Sequence, residues 1–136
     1  MMVAMNAASF TTPAACRVLV VDDEAMLRTM LSRVLRMHGF EVTLAVDGAD
    51  ALRLLAADHY DVVLSDVVMP VCDGRCLLRE MRARGQSTPV VMLSGYAEGS
   101  SDTLRTLGAA AVLGKPAPVQ EIVDALRAAV ARAPRA

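Results

Sequence analysis

The sequence predicts a doubly wound α/β fold, with five parallel strands covered by helices on both faces. Five short β-branched runs alternate with five amphipathic segments, the pattern of strands joined by crossover helices. Three of the runs are almost wholly apolar, as a strand buried on both faces requires. Hydrophobic residues make up 54% of the 136 residues against 21% charged, enough apolar surface for such an interior.

The strands are expected at residues 17–21, 41–46, 62–65, 90–93 and 110–113. Between the first two, Met26, Leu27, Met30, Leu31, Val34 and Leu35 recur at helical spacing while Arg28, Arg33 and Arg36 fall on the other side, and His38 with Gly39 closes the helix. The second helix carries Ala51, Leu52 and Leu55. The third carries Leu77, Leu78 and Met81, with Arg75, Arg79 and Arg82 facing water. The fifth carries Val119, Ile122, Val123, Leu126 and Val130. The fourth, over 101–107, follows Gly99, Ser100 and Ser101 and has only Leu104 and Leu107 for an apolar face, so little packing holds it in place.

This length suits a single core, expected over residues 16–131 with loose tails at 1–15 and 132–136. Arg17, Asp61 and Asp66 interrupt the best apolar stretches well short of the roughly 18–20 residues of a membrane span. The first fifteen residues have no basic start and no long apolar block, which disfavours a secretory signal, so the expected setting is the cytoplasm, with no membrane contact. The net charge is −1 and the arginines are dispersed, which gives no reason to expect nucleic-acid binding. Three cysteines, Cys16, Cys72 and Cys76, argue against a disulfide framework, and no further Cys or His completes a metal set around Cys72 and Cys76, so free thiols are expected.

In an open parallel sheet, ligands gather beyond the carboxyl ends of the strands, where strand order reverses. Here each apolar run stops at a polar group: Asp22, Asp23 and Glu24 after the first, Asp66 after the third, Ser94 after the fourth, Lys115 and Pro116 after the fifth. In the flavodoxin-like order 2-1-3-4-5 the first and third strands are neighbours, which brings Asp22 or Asp23 near Asp66. Carboxylates so close repel, and a divalent cation relieves them. An all-oxygen site with few protein ligands suits Mg2+, which keeps waters and leaves room for a phosphate oxygen. Lys115 is the only lysine and offers a compact ammonium, while Ser94 offers a hydroxyl donor. These groups fit phosphoryl transfer to an ionised carboxylate, which needs no base. Taken singly, each acid reads as a turn or cap residue; their shared edge gives the set its meaning.

These residues resemble the receiver domain of two-component response regulators. Val18-Leu19-Val20-Val21-Asp22-Asp23-Glu24 is similar to that family's first strand and acidic pair, and Asp47-Gly48 with Ala51-Leu52 to the start of its second helix. Ser65-Asp66-Val67-Val68-Met69-Pro70 with Asp73-Gly74 is similar to its phosphorylation loop, and Leu93-Ser94-Gly95 and Gly114-Lys115-Pro116 to its hydroxyl and lysine motifs. The resemblance implies Asp66 as phosphoacceptor, Asp23 as direct Mg2+ ligand, Asp22 as ligand through water, and the backbone carbonyl of Val68 as a further ligand. It also implies Ser94 and Lys115 at the phosphoryl group, a cis bond before Pro116, and a histidine kinase or histidine phosphotransfer protein as donor. Phosphorylation would then alter the face made by helix four, strand five and helix five, toward a downstream protein or a second copy of the chain.

The match departs at the position where the family carries a switch aromatic, which is Val112 here. Tyr96 is the nearest aromatic and either follows the hydroxyl's movement or is a plain surface residue. Pro118 is expected as the first residue of the last helix. Cys72 stands for a common methionine, with a packing role expected over redox sensing. His38 and His59 are expected to be exposed and not phosphodonors. Two other readings stay open: a receiver-like interaction module that takes no phosphate, and a phosphatase with an aspartyl nucleophile, although that enzyme class places its nucleophile on the first strand with a second Asp two residues later. A flavin site is disfavoured because Asp22-Asp23-Glu24 would repel a phosphate. The sequence leaves open a free-standing regulator or the receiver of a hybrid kinase.

Overall fold

A computed structural model of the chain describes residues 15–95 and 101–133. It contains strands β1 (Arg17–Val21), β2 (Glu41–Ala45), β3 (Val62–Asp66), β4 (Val90–Ser94) and β5 (Ala111–Gly114). Helices α1 (Ala25–Met37), α2 (Gly48–Ala57), α3 (Gly74–Ala83), α4 (Ser101–Thr106) and α5 (Val119–Arg132) alternate with them. The strands form one parallel sheet in the order β2-β1-β3-β4-β5, as the sequence predicts. The first strand matches expectation and the other ends differ by one residue: Asp66, Ser94 and Gly114 still pair within the ladder, and β2 stops at Ala45.

Alternation of side chains along each strand splits the core into two layers. Leu19, Val21, Val63, Val90 and Met92 pack with α2, α3 and Leu104 of α4 on one face. Val18, Val20, Val62, Leu64, Val91 and Leu93 pack with α1 and α5 on the other. Among the described residues of α4, Leu104 is the one buried side chain that anchors it. Asp47 and Asp73 start α2 and α3 by accepting the N–H groups of Asp50 and Cys76 at 2.8 and 2.9 Å. No helix among the described residues is long and apolar enough to cross a membrane.

Several expectations need correction. In α1 only Leu31 and Leu35 are buried among the predicted apolar residues, while Met26 and Met30 are 84% and 54% exposed. The helix meets the sheet along a narrower stripe than the run of apolar residues implies. Arg82 is not free in water: its guanidinium donates to the carbonyls of Gln86, Thr88 and Gly108, tying the end of α3 to two loops. Burial lowers its pKa. His38 is half-buried, its Nδ1–H donating to the Val34 carbonyl, whereas His59 is exposed. Pro118 caps α5 from outside, with ψ at 147°, and the helix begins at Val119. Cys72 and Cys76 are joined in a disulfide, so of the three cysteines only Cys16 is a free thiol. The bridge escaped the sequence reading because an odd count says nothing about two residues that a helix start brings together.

Truncating the fully buried Leu78 to Ala should cost about 2–5 kcal/mol, read as a lower denaturant midpoint at unchanged slope. Met26→Ala, on the exposed side of α1, should change stability by no more than about 0.5 kcal/mol.

Candidate functional site

Strand pairing builds the site before any side chain does. Val21 of β1 lies opposite Ser65 of β3, so the next residue on each strand, Asp22 and Asp66, emerge side by side. Asp66 is in register with Leu93, and Ser94 with Gly114, which sets the serine and then Lys115 along the same edge. The Lys115 N–H donates to the Ser94 carbonyl at 2.9 Å, and the peptide bond to Pro116 is cis, as expected.

Asp22 and Asp66 are almost completely buried, at 1% and 5% exposure, while Asp23 faces solvent. One carboxylate oxygen from each of the three acids lies within 4.8 Å of the others. The Lys115 ammonium sits 2.8 Å from Asp66 Oδ1. Burial holds the pKa of Asp22 above the ordinary carboxylate range; the Glu24 N–H opposes this with a hydrogen bond to Oδ1 at 2.8 Å, and the charges of Asp66 and Asp23 reinforce it. Asp22 Oδ2 is buried with no hydrogen-bond partner among the described residues. A buried anionic oxygen left over in this way is what a cation needs, and with two further carboxylates beside it the donor set is all oxygen and fits a hard divalent ion such as Mg2+.

Ser94 is 8% exposed and its hydroxyl donates to the Gly95 carbonyl at 3.2 Å. Val112 pairs with Met92 and packs, partly buried, against the α2–α3 layer, so a small aliphatic side chain occupies that position. Tyr96 lies outside the described residues. Val68, 55% exposed, stands in the loop that follows Asp66.

That loop explains the glycine of the Asp73-Gly74 pair. A Cβ at Gly74 would lie 2.9 Å from the Asp66 carbonyl oxygen and from Val67 Cα, and the Gly74 N–H donates to the Val67 carbonyl at 2.7 Å. Helix α3 therefore starts in contact with the strand end that carries Asp66. Three features were not foreseen. The Arg28 guanidinium donates to the backbone carbonyl of Asp22 at 2.6 Å, bracing the acidic turn from α1. Val71 adopts φ of +70°, a conformation costly for a β-branched residue. The disulfide crosses from the loop into α3. Only the last had a signal in the sequence, a Cys pair four residues apart around a helix cap.

An acidic pocket and a paired lysine at the carboxyl edge of a flavodoxin-like sheet define the class of α/β receiver modules. Residues 18–127 match the model of the response regulator receiver domain, and the chain belongs to that family. Response regulator MprA of Mycolicibacterium vanbaalenii is 38% identical over 118 residues, covering 85% of this chain and 51% of the relative. Regulatory protein AtoC of Escherichia coli is 48% identical over 82 residues, 60% of this chain and 18% of its own length. The chain thus spans about half the length of MprA and less of AtoC. Among solved structures, a receiver domain from Clostridium thermocellum superposes with a TM-score of 0.81 at 28% identity, covering 86% of this chain and 95% of that one. Chemotaxis protein CheY4 of Vibrio cholerae superposes with a TM-score of 0.76 at 34% identity, covering 85% and 99%. As a receiver domain, the chain is a phosphorylatable module of two-component signalling, in a family that interacts with histidine kinases.

Because the folded state raises the pKa of Asp22, the ionised carboxylate costs stability once pH rises above its unfolded value of about 3.9. Asp22→Asn should therefore melt a few degrees higher than the parent at pH 7 without metal, and lose that advantage below pH ~4. Val71→Asn, at an 84% exposed position in the left-handed region, should add about 1 kcal/mol of stability by chemical denaturation.

Proposed function

We propose that Asp66 is the phosphoacceptor, that Asp22, Asp23, Asp66 and the Val68 carbonyl hold a Mg2+ ion, and that Ser94 and Lys115 receive the phosphoryl oxygens. The observation that carries this reading is the Lys115–Asp66 pair at 2.8 Å beside two further carboxylates. Lysine holds one oxygen of Asp66, leaving the second to attack phosphorus. The new bond is Asp66 O–P; the bond that breaks is P–N of a phosphohistidine on a histidine kinase or phosphotransfer protein, whose imidazole keeps the electron pair of that bond and, with a solvent proton on its other ring nitrogen, leaves as the neutral base. Bound Mg2+ would supply neutralisation of charge on the equatorial oxygens. The carboxylate is already ionised, so no general base is required.

Phosphorylation adds roughly one negative charge and new acceptor oxygens next to Lys115 and Ser94. Their response is the switch. The Ser94 hydroxyl leaves the Gly95 carbonyl for a phosphoryl oxygen, and α4 repacks in response. That helix is short and anchored by one buried leucine, so a few kcal/mol of new hydrogen bonding is enough to shift its position. The surface of α4, β5 and α5 then changes affinity for a downstream protein or a second copy of the chain. With Val112 in place of an aromatic, this surface responds through backbone movement rather than through a ring rotamer. The cytoplasm is the setting that suits such a module.

The test is phosphate incorporation from a small-molecule phosphodonor, followed by intact mass. The wild-type chain should gain one phosphoryl group with Mg2+ and none after chelation. Asp66→Asn should gain none, and Lys115→Ala should react about 10²-fold more slowly. Equal incorporation by wild type and Asp66→Asn would overturn the proposal.

A further inference from the structure

The loop that leaves Asp66 is closed by a covalent bridge. Cys72 stands in the loop and Cys76 in the first turn of α3, with Asp73 capping that helix between them. Their Cα atoms are 5.3 Å apart, within the ordinary range for a disulfide, so the bridge forms without moving the backbone. Cys72 is 6% exposed and packed in the core layer of α2 and α3, whereas Cys76 is only partly buried. Around Cys72 the fit is close: the Gly48 N–H donates to its carbonyl at 3.1 Å, and a Cβ on Gly48 would lie 2.9 Å from its sulfur. The bridge therefore ties the loop to α3 at the point where the loop also meets α2.

A ring spanning positions 72 to 76 constrains the unfolded chain far less than a long one, so this bridge is poorly suited to stabilising the whole domain. Its effect is local. It acts on the residues between Asp66 and α3, including Val68 and the strained Val71. Partial exposure of Cys76 gives a thiol or disulfide partner a route to one sulfur while Cys72 stays covered.

We propose that Cys72 and Cys76 form a reversible dithiol–disulfide site whose oxidation state sets the order of the phosphorylation loop, and through it Mg2+ affinity at Asp66. The co-reactant is a low-molecular-weight disulfide. Cys76 as thiolate attacks one of its sulfurs, forming a mixed disulfide and releasing one small thiol. Cys72 as thiolate then attacks Cys76 Sγ, closing the protein bridge and releasing the second small thiol. The two protein thiols lose two electrons, the small disulfide gains them, and their protons end on the released thiols. A small dithiol reverses the sequence. In the bridged state the loop is held in place before metal arrives, so less ordering accompanies binding and Mg2+ binds more tightly. The coupling to Mg2+ rests on the proposed function; the redox chemistry does not.

The experiment uses the full chain carrying Cys16→Ser, equilibrated in buffers of graded oxidised and reduced glutathione, quenched by alkylation and weighed by mass spectrometry. The expected result is one reversible two-electron transition, with the bridge mapped to a peptide containing both cysteines and absent from Cys76→Ser. Cys72→Ala is the second variant, should either substitution disturb folding. Thiols that stay alkylatable across the whole range, or glutathione adducts that never resolve to the internal bridge, would overturn the site. Calorimetric titration with Mg2+ alone should give a Kd several-fold lower for the oxidised than for the reduced protein, and no such difference in Cys76→Ser. Equal affinities in the two states would overturn the coupling. Lack of Mg2+ binding in both would overturn the metal site of the proposed function, and the coupling with it, while a completed redox titration still established the dithiol site.

Discussion

Like charges forced together at the end of a buried sheet organise this molecule. Asp22 and Asp66 are drawn into the interior by strands whose side chains are otherwise apolar, and Asp23 stands at the mouth of the same pocket. Ionised carboxylates resist that burial, as the raised pKa of Asp22 records. The Lys115 ammonium offsets part of the repulsion, but it is one positive charge against three negative ones. The remaining imbalance, focused on a buried Asp22 oxygen without a hydrogen bond among the described residues, suits the pocket to a cation, and the proposed phosphoryl chemistry builds on it. Burying ionised Asp22 costs stability, a common feature of sites that must respond to a ligand.

The rest of the fold serves to hold that imbalance in place. Parallel pairing aligns the ends of β1, β3, β4 and β5. Arg28 braces the Asp22 turn from α1, and Gly74 lets α3 begin against the carbonyl of Asp66. On the opposite edge of the sheet, Arg17 pairs with Asp58 at 2.9 Å and stacks over Tyr60, and Asp58 titrates at about 2 because of that hydrogen-bonded partner. There the acids around Arg17, which are Glu41, Asp58 and Asp61, are exposed or half-buried and hydrogen-bonded, whereas at the other edge Asp22 and Asp66 are buried.

The helices are anchored unequally. Helices α1, α2, α3 and α5 each bury several side chains, and α4 buries Leu104 alone among its described residues. An element with so few contacts can shift without disturbing the two core layers. The loop after Asp66 is the counterpart, held by the buried Val67 and Met69 and tightened by a disulfide, a cap and a close glycine contact.

By itself the sequence determined the fold class, the strand order and the edge on which Asp22, Asp23, Asp66, Ser94 and Lys115 meet. The fold class and the polar strand ends follow from period-2 and period-3.6 patterning and from where apolar runs stop, which are local properties of the chain; the strand order came from the flavodoxin-like arrangement that the family resemblance implies. It misjudged Met26, Met30 and Arg82, because how much of a helix faces its neighbours depends on what those neighbours are. Only the tertiary structure decided the partner of Lys115, the burial of Asp22 and the bracing by Arg28, since each depends on distances across strands and helices far apart in the chain. It also decided that Cys72 meets Cys76, because the loop and the first turn of α3 must take up their backbone path before two sulfurs four residues apart can touch.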